Sequence, residues 1–244
     1  MAIPAQLVSS LTAAMPPGLS KTQVDRAGET IRSFQSAKPR ELEDAIRVAS
    51  AYRAGFADPL KKVTVGLRQF VERESSEIIV GQRLKRLPAM GRKLGQQRTM
   101  RLSQMEDVGG CRAILPGGHK EIAGVLRRIR RNWQVVNLDD YIVRPKSTGY
   151  RAIHVVVLRD KHRIEIQLRT PGQHEWAEAV ERLAARTGYG LKYGQGPPDL
   201  LSYFELAAWA IDHQERELPG VDEDFMRVFD NLRERVTHYW TDPR

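Results

Sequence analysis

Leu42, Ala45, Ile46, Ala49, Tyr52 and Phe56 recur at intervals of three and four, so residues 40–56 predict a helix with one apolar face. Asp58-Pro59 then reads as a cap followed by proline at the first helical position. Leu60, Val63, Leu67, Phe70, Val71 and Ile78 carry a second helical stripe to about residue 82. Strands are expected at about 111–115, 133–138, 152–158 and 163–169, with a basic helix at about 120–132. Helical spacing resumes at about 173–187, 199–217 and 222–239. Pro16-Pro17-Gly18 breaks any helix near the start, and residues 1–38 are expected to be weakly structured. Helices flanking a mixed sheet of about five strands define an α/β (α+β) class. The pattern divides the chain into N-terminal helices (39–82), a sheet core (83–187) and a C-terminal helical extension (188–244) that opens on the glycine-rich stretch 188–198.

The two adjacent strand segments carry the most chemistry. In 163–169, Ile164, Ile166 and Leu168 point one way and Glu165, Gln167 and Arg169 the other, because strand side chains alternate. A two-residue turn at Asp160-Lys161, which is not a preferred turn pair, would set Val156 opposite Glu165 and His154 opposite Gln167. The preceding loop, Lys146-Ser-Thr-Gly-Tyr150-Arg151, supplies a cation and a ring for stacking. A cation, a ring and a carboxylate on neighbouring segments suit a nucleotide-phosphate site that also takes a metal.

Composition narrows the classes. A hydrophobic content of 41% and a charged content of 28% are globular values. One cysteine, Cys111, leaves no disulfide framework and no cysteine-based zinc site. No apolar run approaches a membrane span, so a soluble protein of a reducing, cytoplasmic compartment is expected. The net charge of +9 is local. Residues 83–101 hold Arg83, Lys85, Arg86, Arg92, Lys93, Arg98 and Arg101 with no acid, and Arg127, Arg128, Arg130 and Arg131 form a second acid-free run. Such fields favour a polyanionic substrate or partner, either nucleotide phosphates or nucleic acid. No phosphate-binding G-x-x-x-x-G-K-[ST] loop, dinucleotide glycine motif or G-x-S-x-G elbow is present. Phosphate handling would rest on scattered Lys and Arg and a carboxylate-held metal.

Five motifs in order give the chain a resemblance to the RelA/SpoT synthetase domain, and within it to the small, single-domain alarmone synthetases. Arg83-x-Lys85, followed by Ala89-Met and Lys93-Leu, resembles the family's R-x-K-x-x-x-S-I-x-x-K-L. Met105-x-Asp107-x-x-Gly-x-Arg112 resembles M-x-D-x-x-G-x-R. Asp140-Tyr141-Ile142, then Pro145-Lys146 and Gly149-Tyr150-Arg151-x-x-His154, resembles D-Y-I with P-K-x-x-G-Y-R-x-x-H. Glu165-Ile-Gln167-Leu-Arg169-Thr170 resembles E-I-Q-I-R-T, and Trp176-Ala177 matches the helix after it.

The resemblance implies a nucleotidyltransferase-like synthetase fold. It implies transfer of the β,γ-pyrophosphate of ATP to the 3′-hydroxyl of GDP or GTP, giving (p)ppGpp and AMP, with Mg²⁺ as cofactor. By position, Asp107 and Glu165 match the catalytic and metal-binding acids. Arg83, Lys85, Lys93 and Arg112 match ATP contacts, and Lys146, Tyr150, His154 and Gln167 match the acceptor side. Ala89 stands where the family has Ser, Ser147-Thr148 where Pro-Asn is usual, and Glu181-Arg182 where Glu-His is common, which bears on acceptor identity. A second class is a toxin that pyrophosphorylates the 3′-terminal adenosine of tRNA or an adenosine nucleotide, with Arg127, Arg128, Arg130 and Arg131 as its RNA patch. A third is a non-catalytic nucleotide- or RNA-binding protein. Too few residues precede Arg83 for the hydrolase domain of long family members, so a product would be degraded elsewhere. Unrestrained activity would slow growth, which points to a neutralising antitoxin or tight regulation. The apolar stripes of 199–217 and 222–239 are expected to close the core, with a homo-oligomer as their other use.

Overall fold

A computed structural model of the protein describes residues 18–241. In chain order its elements are α1 (Lys21–Arg32), α2 (Pro39–Ala54), α3 (Ala57–Glu72), β1 (Ile79–Leu84), α4 (Leu87–Gln96) and β2 (Gly109–Ile114). Then come α5 (Gly118–Asn132), β3 (Val135–Asp140), β4 (Ile153–Arg159), β5 (His162–Arg169), α6 (Pro171–Thr187), α7 (Pro198–Glu215), α8 (Glu223–Val236) and a last short helix, α9 (His238–Thr241). The five strands form one sheet in the order β1-β2-β5-β4-β3, with helices between them, as expected for the α+β class. Among the described residues no helix is long and apolar enough to cross a membrane.

Two expectations need correction. Residues 1–17, with the Pro16-Pro17 pair, lie outside the described residues, but residues 18–38 of the weakly expected segment hold α1. Ser20 accepts from the Gln23 backbone N–H at 3.2 Å while the Gln23 side chain accepts from the Ser20 backbone at 2.8 Å, a capping box that satisfies two otherwise orphaned donors. Val24, Ala27 and Ile31 then bury one face. The second correction concerns Ile78. The helical stripe through Leu67 and Val71 stops at Glu72, and Ile79–Leu84 forms strand β1. Ser75 accepts from the Glu77 backbone N–H at 3.3 Å, a local bond that competes with helix continuation.

By internal contacts the chain forms two compact units. The first takes the residues up to Gly66, Gly81–Cys111 and Val156–Ile166. Its buried side chains include Ile46 and Ala49 of α2, Leu94 of α4, and Ile164 and Ile166 of β5. The second takes Leu67–Val80, Arg112–Val155 and the chain from Gln167 on. Its apolar cluster joins Trp176, Val180 and Leu183 of α6 to Leu200, Phe204 and Ala208 of α7 and Val236 of α8. Trp176 is a core residue, with its indole N–H donating to the Phe204 carbonyl at 2.8 Å. The stripe of α8 is buried only in part: Leu232 and Val236 are inside, whereas Met226 and Val228 are exposed.

Candidate active site

In the first unit β1 leads directly into α4, and the loop before β2 brings Asp107 back to both. Lys85 follows β1, and its backbone N–H donates to the Val108 carbonyl at 2.8 Å, which fixes the Asp107 loop beside it. Pro88 near the start of α4 suits a helix N-terminus, and Lys93 lies in the last turn. The Asp107 carboxylate therefore accepts from Lys85 Nζ at 2.8 Å on one oxygen and from Lys93 Nζ at 2.9 Å on the other. Burial alone would raise the Asp107 pKa, but the two ammonium groups outweigh it and hold the carboxyl below its ordinary range. Arg83, on β1, is exposed.

Glu165 sits mid-strand on β5, half-buried, while Ile164 and Ile166 on either side are fully buried. The alternation expected for 163–169 is therefore present. The β4–β5 turn is two residues long, and Asp160 (φ 48°) and Lys161 (φ 64°) both adopt left-handed backbone. That is a type I′ turn, so the register with Val156 opposite Glu165 follows from counting along the hairpin. Lys62 pairs with Asp160 at 2.7 Å and steadies a turn whose residue types do not favour it. Gly110 on β2 lies against Glu165: a Cβ there would stand 3.9 Å from the carboxylate. Beneath, the Cys111 thiol is pushed up to about 12 by burial.

In the second unit the aromatic residues of the loop before β4 gather with the end of β5. Asp140 accepts from the backbone N–H groups of Ile142 and Val143, both at 3.0 Å, and turns the chain out of β3. Gly149 closes the loop with φ 87° and its N–H on the Lys146 carbonyl at 2.8 Å. It has no room for a side chain, since a Cβ would stand 2.8 Å from Ala208 Cβ. Lys146 Nζ lies 4.6 Å from the centre of the Tyr141 ring and 5.3 Å from that of Tyr150. The Tyr150 hydroxyl accepts from Arg169 at 2.9 Å and lies 2.6 Å from His154 Nε2. Arg169 also donates to Gln167 at 2.8 Å.

The structure thus brings together Lys85, Lys93 and Asp107, and separately Lys146, Tyr150, His154 and Gln167. Arg112, expected among the ATP contacts, donates to Glu178 of α6 at 2.9 Å and lies 3.5 Å from His174 Nδ1. Burial first, and then Arg112, hold the His174 pKa below its ordinary value. Sequence reasoning gave no site role to Tyr141, although the Asp140-Tyr141-Ile142 motif contains it. It also left Arg169 undecided, although Arg169 shares the alternating face of Glu165 and Gln167. Arg169 is 5% exposed and binds the ring that carries the loop.

Residues 82–189 match the region found in RelA/SpoT proteins. An uncharacterized protein of Mycobacterium tuberculosis is 32% identical over 158 residues, covering 62% of this chain and 53% of that protein. The GTP pyrophosphokinase of Escherichia coli is 26% identical over 207 residues, covering 81% of this chain but 27% of its own length. The chain therefore spans about half the length of the first relative and less of the second. The RelA/SpoT region and its flanks are also similar in fold to two solved proteins of Bacillus subtilis. Small alarmone synthetase 2 matches at a TM-score of 0.57 and 19% identity, covering 68% of this chain and 91% of that one. Small alarmone synthetase 1, solved with its product pppGpp, matches at 0.56 and 22%, covering 77% and 99%. At these identities the likeness bears on the fold.

Proposed function

We propose that the chain is an ATP-dependent pyrophosphokinase that transfers the β,γ-pyrophosphate of ATP to the 3′-hydroxyl of GDP or GTP. The observation that carries the proposal is Asp107 held between Lys85 and Lys93 within a RelA/SpoT region. Two half-buried cations on one carboxylate form a polyanion site in waiting, because a triphosphate offers each ammonium an oxygen of the same kind.

Mg²⁺ takes hard oxygens, with one or two carboxylates and the rest from phosphates and water. Asp107 and Glu165 fit that donor set. Among the described residues no group of three or more His, Cys, Asp or Glu side chains that could hold a metal ion occurs. Bound by these two acids, Mg²⁺ would neutralise charge on phosphate oxygens. The chain's residues do the rest. Arg83, Lys85 and Lys93 bind and orient the triphosphate. Lys146 takes an acceptor phosphate and Tyr150 stacks on the acceptor base. Glu165 receives the proton as the 3′-oxygen attacks the β-phosphorus, and the bond from that phosphorus to the α–β bridging oxygen breaks to release AMP. His154 and Gln167 hold Tyr150 and Arg169 in place. Charge builds on phosphate oxygens as this proceeds, and fixed cations stabilise it most when they need not move.

Transfer to tRNA would call for an extended basic track. Arg127, Arg128 and Arg131 line one cavity of the second unit. The decisive assay offers purified protein, Mg²⁺ and β- or γ-labelled ATP with GDP, GTP, ATP and bulk tRNA in parallel. Label is expected on GDP or GTP and is expected to be lost in Glu165→Gln. Label on tRNA alone would assign a translation-blocking toxin, and no transfer to any acceptor would leave a binding protein.

A further inference from the structure

Outside the candidate active site, the second unit holds a cavity of about 650 Å³ between the end of α3 and the outer face of α5. Arg73 comes from just past α3, and Arg127, Arg128 and Arg131 from successive turns of α5. One acid, Glu74, stands among them and pairs with Arg128 at 2.5 Å. Gly124 makes this possible: a Cβ there would overlap the Glu74 carboxylate. An aromatic platform completes the wall. Phe70 lines the cavity and its ring packs on Trp133 at 4.8 Å between centres, both rings half-buried.

Four arginines line this one cavity against a single carboxylate, and Arg is the side chain whose fork matches phosphate oxygens. A half-exposed ring beside them supplies a stacking surface for a base. The volume is that of a small-molecule site rather than of a nucleic-acid groove. We infer that this cavity is a second nucleotide site, taking a nucleoside polyphosphate with its phosphates on Arg73, Arg127 and Arg131 and its base on Phe70. Glu74 holds Arg128 in the empty site and yields it to phosphate when the ligand binds. None of these residues belongs to the groups around Asp107 or Tyr150, so the inference does not depend on the proposed reaction.

The test is calorimetric titration of the full chain with GTP in the absence of Mg²⁺, counting sites. Among the GTP sites of the wild type, one is expected to be weakened by roughly a hundredfold in Arg127→Glu/Arg131→Glu, because two charge-assisted phosphate contacts are reversed. Glu74→Gln is expected to tighten the same site by roughly fivefold, since it frees Arg128 of its counter-charge. That gain of affinity cannot come from a misfolded variant. The inference fails if both variants bind GTP as the wild type does. It also fails if inorganic tripolyphosphate binds the cavity as tightly as GTP, because then no base is recognised. A ten-nucleotide single-stranded RNA that displaces GTP at lower concentration would overturn it in favour of an RNA site.

Discussion

Lys85 and Lys93 each end on an oxygen of Asp107, whereas Lys146 ends over the rings of Tyr141 and Tyr150. Asp107 offsets the charge of Lys85 and Lys93, and the Lys146 ammonium lies over aromatic faces. A ring attracts a cation without cancelling its charge. An incoming polyanion must therefore compete with Asp107 in the first unit, and whatever then occupies Asp107 decides how tightly the polyanion binds. In the second unit the loop geometry matters more than charge balance, because Tyr150 is placed by Arg169, His154 and a glycine that admits no side chain. One region is tuned by electrostatics and the other by packing.

Asp107→Asn breaks the electrostatic side of the contrast. The volume is kept, but the pairing for both lysines and one metal-binding carboxylate are lost. Pyrophosphate transfer is expected to fall by roughly 10³-fold, as when one charge-stabilising group is removed from an active site. Thermal melts should show a much smaller change, since the pair sites are partly solvated. A loss of less than tenfold would mean that Asp107 organises its loop and does no more.

Gly149→Ala breaks the packing side. A residue at φ 87° costs strain, and the new Cβ would stand 2.8 Å from Ala208 Cβ and 3.2 Å from Glu205 Cα. About 3 kcal/mol of destabilisation is expected, a fall in melting temperature of roughly 8 °C for a chain of this size. Circular-dichroism melts would measure it. If the loop simply shifts, stability will hold while acceptor affinity drops, and the loop is then softer than its contacts imply.

How much of this was legible depended on whether a residue's partner was local. The β5 face was readable because alternation is a property of the strand alone, and the hairpin register followed once Asp160 and Lys161 were found in left-handed backbone. The five motifs run in order through Asp107, Tyr150 and Glu165, and residues 82–189 match the family over the same stretch. Helix α1 was also legible in principle, since Ser20 and Gln23 have capping-box spacing, but Pro16-Pro17-Gly18 dominated the reading. Strand β1 was missed because Ile78 continues the helical period of Leu67 and Val71, and only the Ser75 turn breaks it. The Arg112–Glu178 pair spans 66 residues, and the Glu74–Arg128 pair spans 54. No local pattern announces either one.

Tyr150→Leu sharpens the contrast at the acceptor. It keeps an apolar side chain but removes the ring, so the acceptor KM should rise roughly tenfold or more, in line with the worth of one base stacked on an aromatic side chain. The KM for ATP should stay near the wild-type value. Tyr150→Phe keeps the ring and removes only the hydroxyl between Arg169 and His154, so its effect should be smaller. If Phe costs as much as Leu, the hydrogen-bonded hydroxyl rather than the stacking face is what the acceptor needs.

The smallest effect is the most specific to the first unit. Asp107 has a folded pKa below its ordinary 3.8, because Lys85 and Lys93 outweigh the opposing effect of burial. A carboxyl depressed on folding contributes stability that is fully present above its unfolded pKa and is lost as pH falls through the folded value. The difference in melting temperature between the wild type and Asp107→Asn should therefore stay constant from pH 7 down to about pH 4 and shrink below it. The corresponding difference for Tyr150→Phe should be flat over the same range, since a phenol does not titrate there. A gap for Asp107→Asn that already closes near pH 6 would mean that the two lysines do not hold the carboxylate ionised. The distinction between a charge-tuned region and a packing-tuned region would then lose its electrostatic half.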